Sequence, residues 1–202
     1  SNVAYSSCDL LIEDMPVSEM IIHVPEVGFD VIAGNSDLTV AEVQLMKMTQ
    51  RERRLATALQ QIQDEYEYIL VDCPPSLNML TLNAMVAADS VLVPMQCEYY
   101  ALEGLSALMD TLRNIQETAN PRLYLEGILR TMYDNRSRLT KDVSEQLLEY
   151  FGDKVFRTCV PRNIRLAEAP SHGMPVLQYD KNSRGAIAYI ALAGELIRKE
   201  NK

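Results

Sequence analysis

Apolar residues along this chain follow two periods, and the two alternate. Short strand-like runs occupy residues 29–33, 68–71, 90–93, 123–129 and 154–160. Gly34, Pro94 and Pro161 stop three of these runs, and Asp72 followed by Pro74-Pro75 stops a fourth. Runs of this length without strict polar alternation suit strands buried on both faces of a parallel sheet. Between them the spacing turns helical. Leu55, Leu59, Ile62 and Tyr66 make one stripe in a helical stretch over residues 40–65, with Arg51, Arg53 and Arg54 read as its solvated face. Leu77, Leu80, Ala84 and Ala87 make a second stripe, with Ser76 as a candidate N-cap. Leu102, Leu105, Met109 and Leu112 make a third; Val143, Leu147 and Phe151 make a fourth; a last helix begins near Ser183. Repeated βα units predict an α/β fold with a mostly parallel sheet, helices on both faces and right-handed crossovers.

Length and composition narrow this picture. With 202 residues and 48% apolar content, one domain over residues 1–202 is expected. A net charge of −9 excludes nucleic-acid binding over the whole surface. Cys8, Cys73, Cys97 and Cys159 have wide, irregular separations that predict reduced thiols, neither a zinc site nor a disulfide framework. His23 and His172 stand apart from any ligand pattern, so no metal site built on them is expected. No apolar run reaches the ~18 residues of a membrane span, and no membrane association is expected.

Asp72 is the residue most open to chemistry. It closes an apolar run at the carboxyl end of an expected parallel strand, the edge where such sheets bind ligands. A carboxylate there can hold Mg²⁺ through a bound water, and it can equally be an ordinary strand-ending residue. The surrounding residues extend the pattern. The stretch Tyr68-Ile69-Leu70-Val71-Asp72-Cys73-Pro74-Pro75-Ser76-Leu77 resembles the Walker B and switch II segment of the ParA/Soj/MinD class of ATPases. Residues 82–89, 93–105 and 131–134 continue the match, and 160–173 (Val160-Pro161-Arg162-Asn163 onward) is similar to the chromosome and plasmid partition branch. The likeness runs from about Leu10 to Ile197.

The resemblance implies a P-loop NTPase-like fold that uses ATP and Mg²⁺, with Asp72 meeting the metal through water and Pro74 and Pro75 in switch II. It implies a homodimer formed on ATP binding and non-specific DNA binding. It also implies stimulation of hydrolysis by a ParB-type partner, and a cytoplasmic, nucleoid-associated protein. Thr131, Met132, Pro161, Arg162 and Asn163 match the adenine side of the family's site, although a strand-ending turn reads equally well there. A P-loop needs G-x-x-x-x-G-K-[ST]. None of the eight glycines here is followed by Lys, so the P-loop strand and the strand after it are expected upstream of Ser1. On that expectation this chain alone does not turn over ATP, and its flanking strands are left with open edges that favour self-association.

Residues 130–165 contain eight Lys/Arg against five Asp/Glu, a local positive excess in an acidic chain. Such residues either pair with nearby acids or contact phosphates without reading sequence. The resemblance implies the second role for Arg136 and Arg165, with Arg138, Lys141 and Arg162 as weaker candidates. Two other readings stay open. One is a nucleotide-independent scaffold that binds DNA or a partner. The other is a MinD-like division ATPase, although the amphipathic C-terminal membrane helix it needs is not evident.

Overall fold

The computed structural model describes residues 5–13 and 15–200. Two compact units emerge, one built from the chain through Asp89 together with Asn114–Leu123, the other from Ser90–Arg113 and the chain from Tyr124.

In the first unit, helices α1 (Ser7–Ile12) and α3 (Arg54–Leu59) contribute Leu10 and Ala58 to a core with Val17, Met20 and Ile62, while α2 (Leu38–Leu45) packs on α1 and α4 (Met79–Ala87) packs on α3. Ser6 starts α1 with a capping box: its Oγ accepts from the Cys8 N–H, and Asp9 accepts from the Ser6 N–H at 2.7 Å. Strands β1 (Ile22–Val24) and β2 (Phe29–Val31) form an antiparallel hairpin that turns at Gly28, whose φ of +74° favours glycine.

The long helix expected over 40–65 is interrupted. Residues 46–50 turn, and Gln50 adopts a φ of +50°. The stripe from Leu55 to Ile62 therefore belongs to a separate, shorter element. The three arginines read as a solvated face have another use. Arg51, Arg53 and Arg54 donate to the carbonyls of Met46, Ala119 and Leu11 at 2.9, 3.1 and 2.9 Å. Met46 and Leu11 lie in the last turns of α2 and α1, where helices leave acceptors unpaired and their dipoles favour positive charge.

α4 is capped by Asn78, whose Oδ1 accepts from the Leu80 and Thr81 N–H groups, rather than by Ser76. Asn83 is fully buried. Its amide donates to the Arg51 and Met79 carbonyls and accepts from the Leu55 N–H, which ties α4 to the start of α3.

The second unit is a parallel sheet in the order β3 (Ser90–Gln96), β4 (Tyr124–Tyr133), β5 (Val155–Pro161). Helices α5 (Ala101–Thr118) and α6 (Arg138–Phe151) follow β3 and β4. The short helices α7 (Ile164–Glu168) and α8 (Val176–Tyr179) and the long α9 (Arg184–Glu200) follow β5.

Alternate strand residues face opposite layers, as the pleat requires. Ile128 and Val155 pack with Leu105, Val143 and Leu147 of α5 and α6. Their neighbours Leu129 and Phe156 pack with Ala188 and Leu192 of α9. Gly127 permits this closeness, because a Cβ there would lie 2.6 Å from the Phe156 ring. The α/β class with a parallel sheet and helices on both faces is thus the observed one. Among the described residues, no helix is long and apolar enough to cross a membrane.

Candidate functional site

The 68–72 run departs from the expected buried strand. Among the described residues it joins no ladder, and Leu70 is 92% exposed. A parallel strand is defined by neighbours on its edges, and apolar side chains alone cannot hold an extended segment in place. At its end Asp72 is exposed, and its carboxylate makes no hydrogen bond or ion pair among the described residues. Pro74 and Pro75 follow, also exposed. The chain is then fixed by the Thr81 hydroxyl, which donates to the Ser76 carbonyl at 2.7 Å, and by the Asn78 cap. The Asp72 carboxylate oxygens are open to a hydrated cation such as Mg²⁺, and among the described residues no cluster of three or more His, Cys, Asp or Glu adds further ligands.

In the second unit, most of the other candidates meet at the carboxyl edge of β4 and β5. Thr131 and Met132 lie two and one residues before the end of β4. Met132 adopts a φ of +50°, which is uncommon for a residue with a long side chain. Tyr133 stands opposite Pro161, and the Arg162 N–H donates to the Tyr133 carbonyl at 3.3 Å, joining the two strand ends. Asn163 starts α7: its Oδ1 accepts from the Arg165 N–H at 3.1 Å.

The basic candidates separate by place. Arg136 lies in the loop after β4, Arg138 opens α6 with Lys141 one turn on, Arg162 follows β5, and Arg165 is in α7. Lys154 precedes β5 at the opposite edge, and Arg130 is buried, so neither contributes to a surface at the carboxyl edge.

Arg136 grips Asp134 in a fork, with Nε and Nη2 donating at 3.0 and 2.9 Å to its two oxygens. Those side-chain hydrogen bonds, with one from the Arg136 N–H, hold the Asp134 carboxyl down at about 2. Arg165 donates to Glu168 at 2.8 Å and lies 3.4 Å from Asp180. Tyr179 also donates to Glu168, whose carboxyl is held low, chiefly by Arg165. Both ion pairs are open to solvent: the Arg136 side chain is 87% exposed and that of Arg165 46%. Exposed pairs contribute little, so a phosphate can exchange for the carboxylate at small cost.

Sequence reasoning did not find the left-handed backbone at Met132, the acidic partners of the two arginines, or the burial of Arg130. The Asp134-x-Arg136 and Arg165-x-x-Glu168 spacings are the signals that could have revealed the pairs.

A parallel sheet with helices on both faces, and polar and basic groups gathered at its carboxyl edge, is the arrangement of open α/β folds that bind ligands at their strand ends, and the solved structures it matches place it with the P-loop NTPase-like nucleotide-binding folds. A family model described as an AAA domain matches residues 1–125. The cobyrinic acid a,c-diamide synthase of Mycobacterium smegmatis, solved with a bound ATP analog and magnesium, aligns with a TM-score of 0.83 at 31% identity. The alignment covers 100% of this chain and 75% of that one. The sporulation initiation inhibitor protein Soj of Bacillus subtilis is 48% identical over 188 residues, 93% of this chain and 74% of Soj. The chromosome partitioning protein ParA of Myxococcus xanthus is 46% identical over 200 residues, 98% of this chain and 70% of that protein. This chain belongs to the ParA/Soj family of partitioning ATPases.

Proposed function

We propose that the protein is an ATP-driven switch for chromosome or plasmid partitioning. It dimerises on ATP, binds DNA without sequence preference, and hydrolyses ATP faster with a ParB-type partner, at the nucleoid in the cytoplasm. The observation that carries the reading is the grouping of Thr131, Met132, Pro161, Arg162 and Asn163 with Arg136 and Arg165 at one edge of a parallel sheet. It is joined by 48% identity to Soj.

In this reading Asp72 holds Mg²⁺ through a water, next to switch II residues Pro74 and Pro75. The bound metal supplies charge neutralisation for phosphoryl transfer. Thr131, Met132, Pro161, Arg162 and Asn163 flank the adenine, largely through backbone. Arg136 and Arg165 contact DNA phosphates, with Arg138, Lys141 and Arg162 in support. In such contacts the arginine fork suits phosphate geometry, and the affinity carries no base information.

The test uses the full-length native protein. Asp72→Ala is expected to abolish Mg²⁺-dependent turnover while leaving the protein folded. Arg136→Ala and Arg165→Ala are each expected to weaken binding to unrelated DNA duplexes equally, and each to reduce the salt slope by about one. A loss confined to one sequence would overturn the DNA assignment. DNA binding indifferent to ATP and to Asp72→Ala would favour the nucleotide-independent scaffold.

A further inference from the structure

The β4–β5 ladder does not run evenly. Ile128 stands opposite Val155, Arg130 opposite Cys159, and Tyr133 opposite Pro161. From the first pair to the second, β4 advances two residues while β5 advances four. From the second to the third, β4 advances three while β5 advances two. Thus β5 bulges around Phe156–Thr158, and β4 answers with a smaller irregularity that contains Met132 and its φ of +50°. The register of Pro161, and of Arg162 bonded to the Tyr133 carbonyl, is the sum of these two irregularities.

A bulge leaves ladder groups unpaired, and here both sets are taken up by side chains. From the α6 side, Arg130 Nη2 donates to the Phe156 and Arg157 carbonyls at 2.8 and 3.3 Å. Its Nη1 donates to the Ser144 hydroxyl of α6 at 2.8 Å. From α9, the Glu195 carboxylate accepts the Arg157 N–H at 2.7 Å, and the Thr158 N–H and hydroxyl at 3.0 and 2.8 Å. Arg130 is 7% exposed, yet no carboxylate pairs with it among the described residues, and its buried Nε has no hydrogen bond there. A buried, imperfectly satisfied guanidinium costs stability. What it does in return is take two carbonyls that only a bulged strand presents together.

We propose that Arg130 is a positioning residue for base recognition. By clamping the β5 bulge, with Glu195 as the opposing clamp, it sets the register of Pro161-Arg162-Asn163 against Thr131 and Met132, and with it the seat for a purine base. The assignment rests on the reading of this edge as the adenine side of the nucleotide site.

The experiment measures the affinities of the full-length protein for MgATP, MgGTP and magnesium tripolyphosphate, which lacks a base, in wild type, Arg130→Met and Arg130→Lys. Melting curves check that each variant is folded. Arg130→Met is expected to lower the ATP-over-GTP preference about tenfold while tripolyphosphate binding changes less than about twofold. Arg130→Lys keeps the charge but not the fork, and is expected to fall between. A uniform loss for all three ligands, or an unchanged base preference with only a lower melting temperature, overturns the proposal. If Arg130→Met does not fold, Glu195→Gln opens the same bulge from α9 and must show the same selective loss; an unchanged preference there overturns the proposal too. A wild type that binds tripolyphosphate as tightly as ATP, with no base preference, refutes the adenine-edge reading itself and this proposal with it.

Discussion

Glu195→Ala removes the α9 half of the clamp, and its cost can be worked from the contacts. Three hydrogen bonds of 2.7, 3.0 and 2.8 Å end on this carboxylate. Hydrogen bonds to a charged group contribute about 1.5–3 kcal/mol each when well buried. Arg157 is exposed, so its N–H regains water when the carboxylate is gone, whereas Thr158 is partly covered and recovers less. A loss of about 2–3 kcal/mol follows, or about 4–12 °C in melting temperature for a chain of this size.

The pH dependence has a definite sign. Burial works against ionisation of Glu195, but the hydrogen bonds from Arg157 and Thr158 together outweigh it, and its carboxyl lies below the usual glutamate value. A depressed pKa means the stabilisation is complete above about 4.5, the ordinary unfolded value, and is lost as pH falls through the folded one. Urea unfolding followed by circular dichroism should therefore show wild type and variant far apart near neutral pH and converging in acid. A gap under about 0.5 kcal/mol near neutral pH, against the ~1 kcal/mol of even one ordinary hydrogen bond, would refute the argument. So would a gap that stays constant on acidification.

Three further outcomes are expected. Asp134, held at about 2 by Arg136, keeps its charge until pH falls through that value; in Arg136→Ala its NMR titration midpoint should rise toward the ordinary aspartate range. Gly127→Ala sets a Cβ 2.6 Å from the Phe156 ring and 2.9 Å from the Lys154 carbonyl, and Phe156 is fully buried. It should cost about 1–3 kcal/mol in denaturant unfolding, and a neutral result would mean the strands separate more easily than their packing indicates. Asn83→Ala leaves the Leu55 N–H and the Arg51 carbonyl without their buried partner, for about 2–4 kcal/mol. Asn83→Asp should cost more, because it turns an acceptor toward two carbonyls; an Asp variant as stable as wild type would contradict the bonding described.

Much of the second unit was legible in the sequence because local period and burial agree there. The runs at 90–93, 123–129 and 154–160 became β3, β4 and β5, and the stripes at Leu102–Leu112 and Val143–Phe151 became α5 and α6. The polar and basic residues after β4 and β5 were legible as a group, since strand ends and breakers mark the carboxyl edge of a parallel sheet. Residues 68–71 have the same apolar character as β3, yet they are exposed and unladdered, because a strand exists only with hydrogen-bonded neighbours. The stripe over 40–65 was broken by a left-handed Gln50 that no spacing rule foresees.

The sequence by itself determined which segments alternate, which faces are apolar, and which residue types gather after β4 and β5, since these follow from side-chain order and backbone period. Only the tertiary structure decided which charges are surface and which are structural. Arg130 and Arg136 are alike as letters, but one is buried against the carbonyls of a bulge and the other grips Asp134 in solvent. That difference depends on strand register and on helices distant in the chain, α6 through Ser144 and α9 through Glu195. Groups so far apart in sequence leave no local pattern to read.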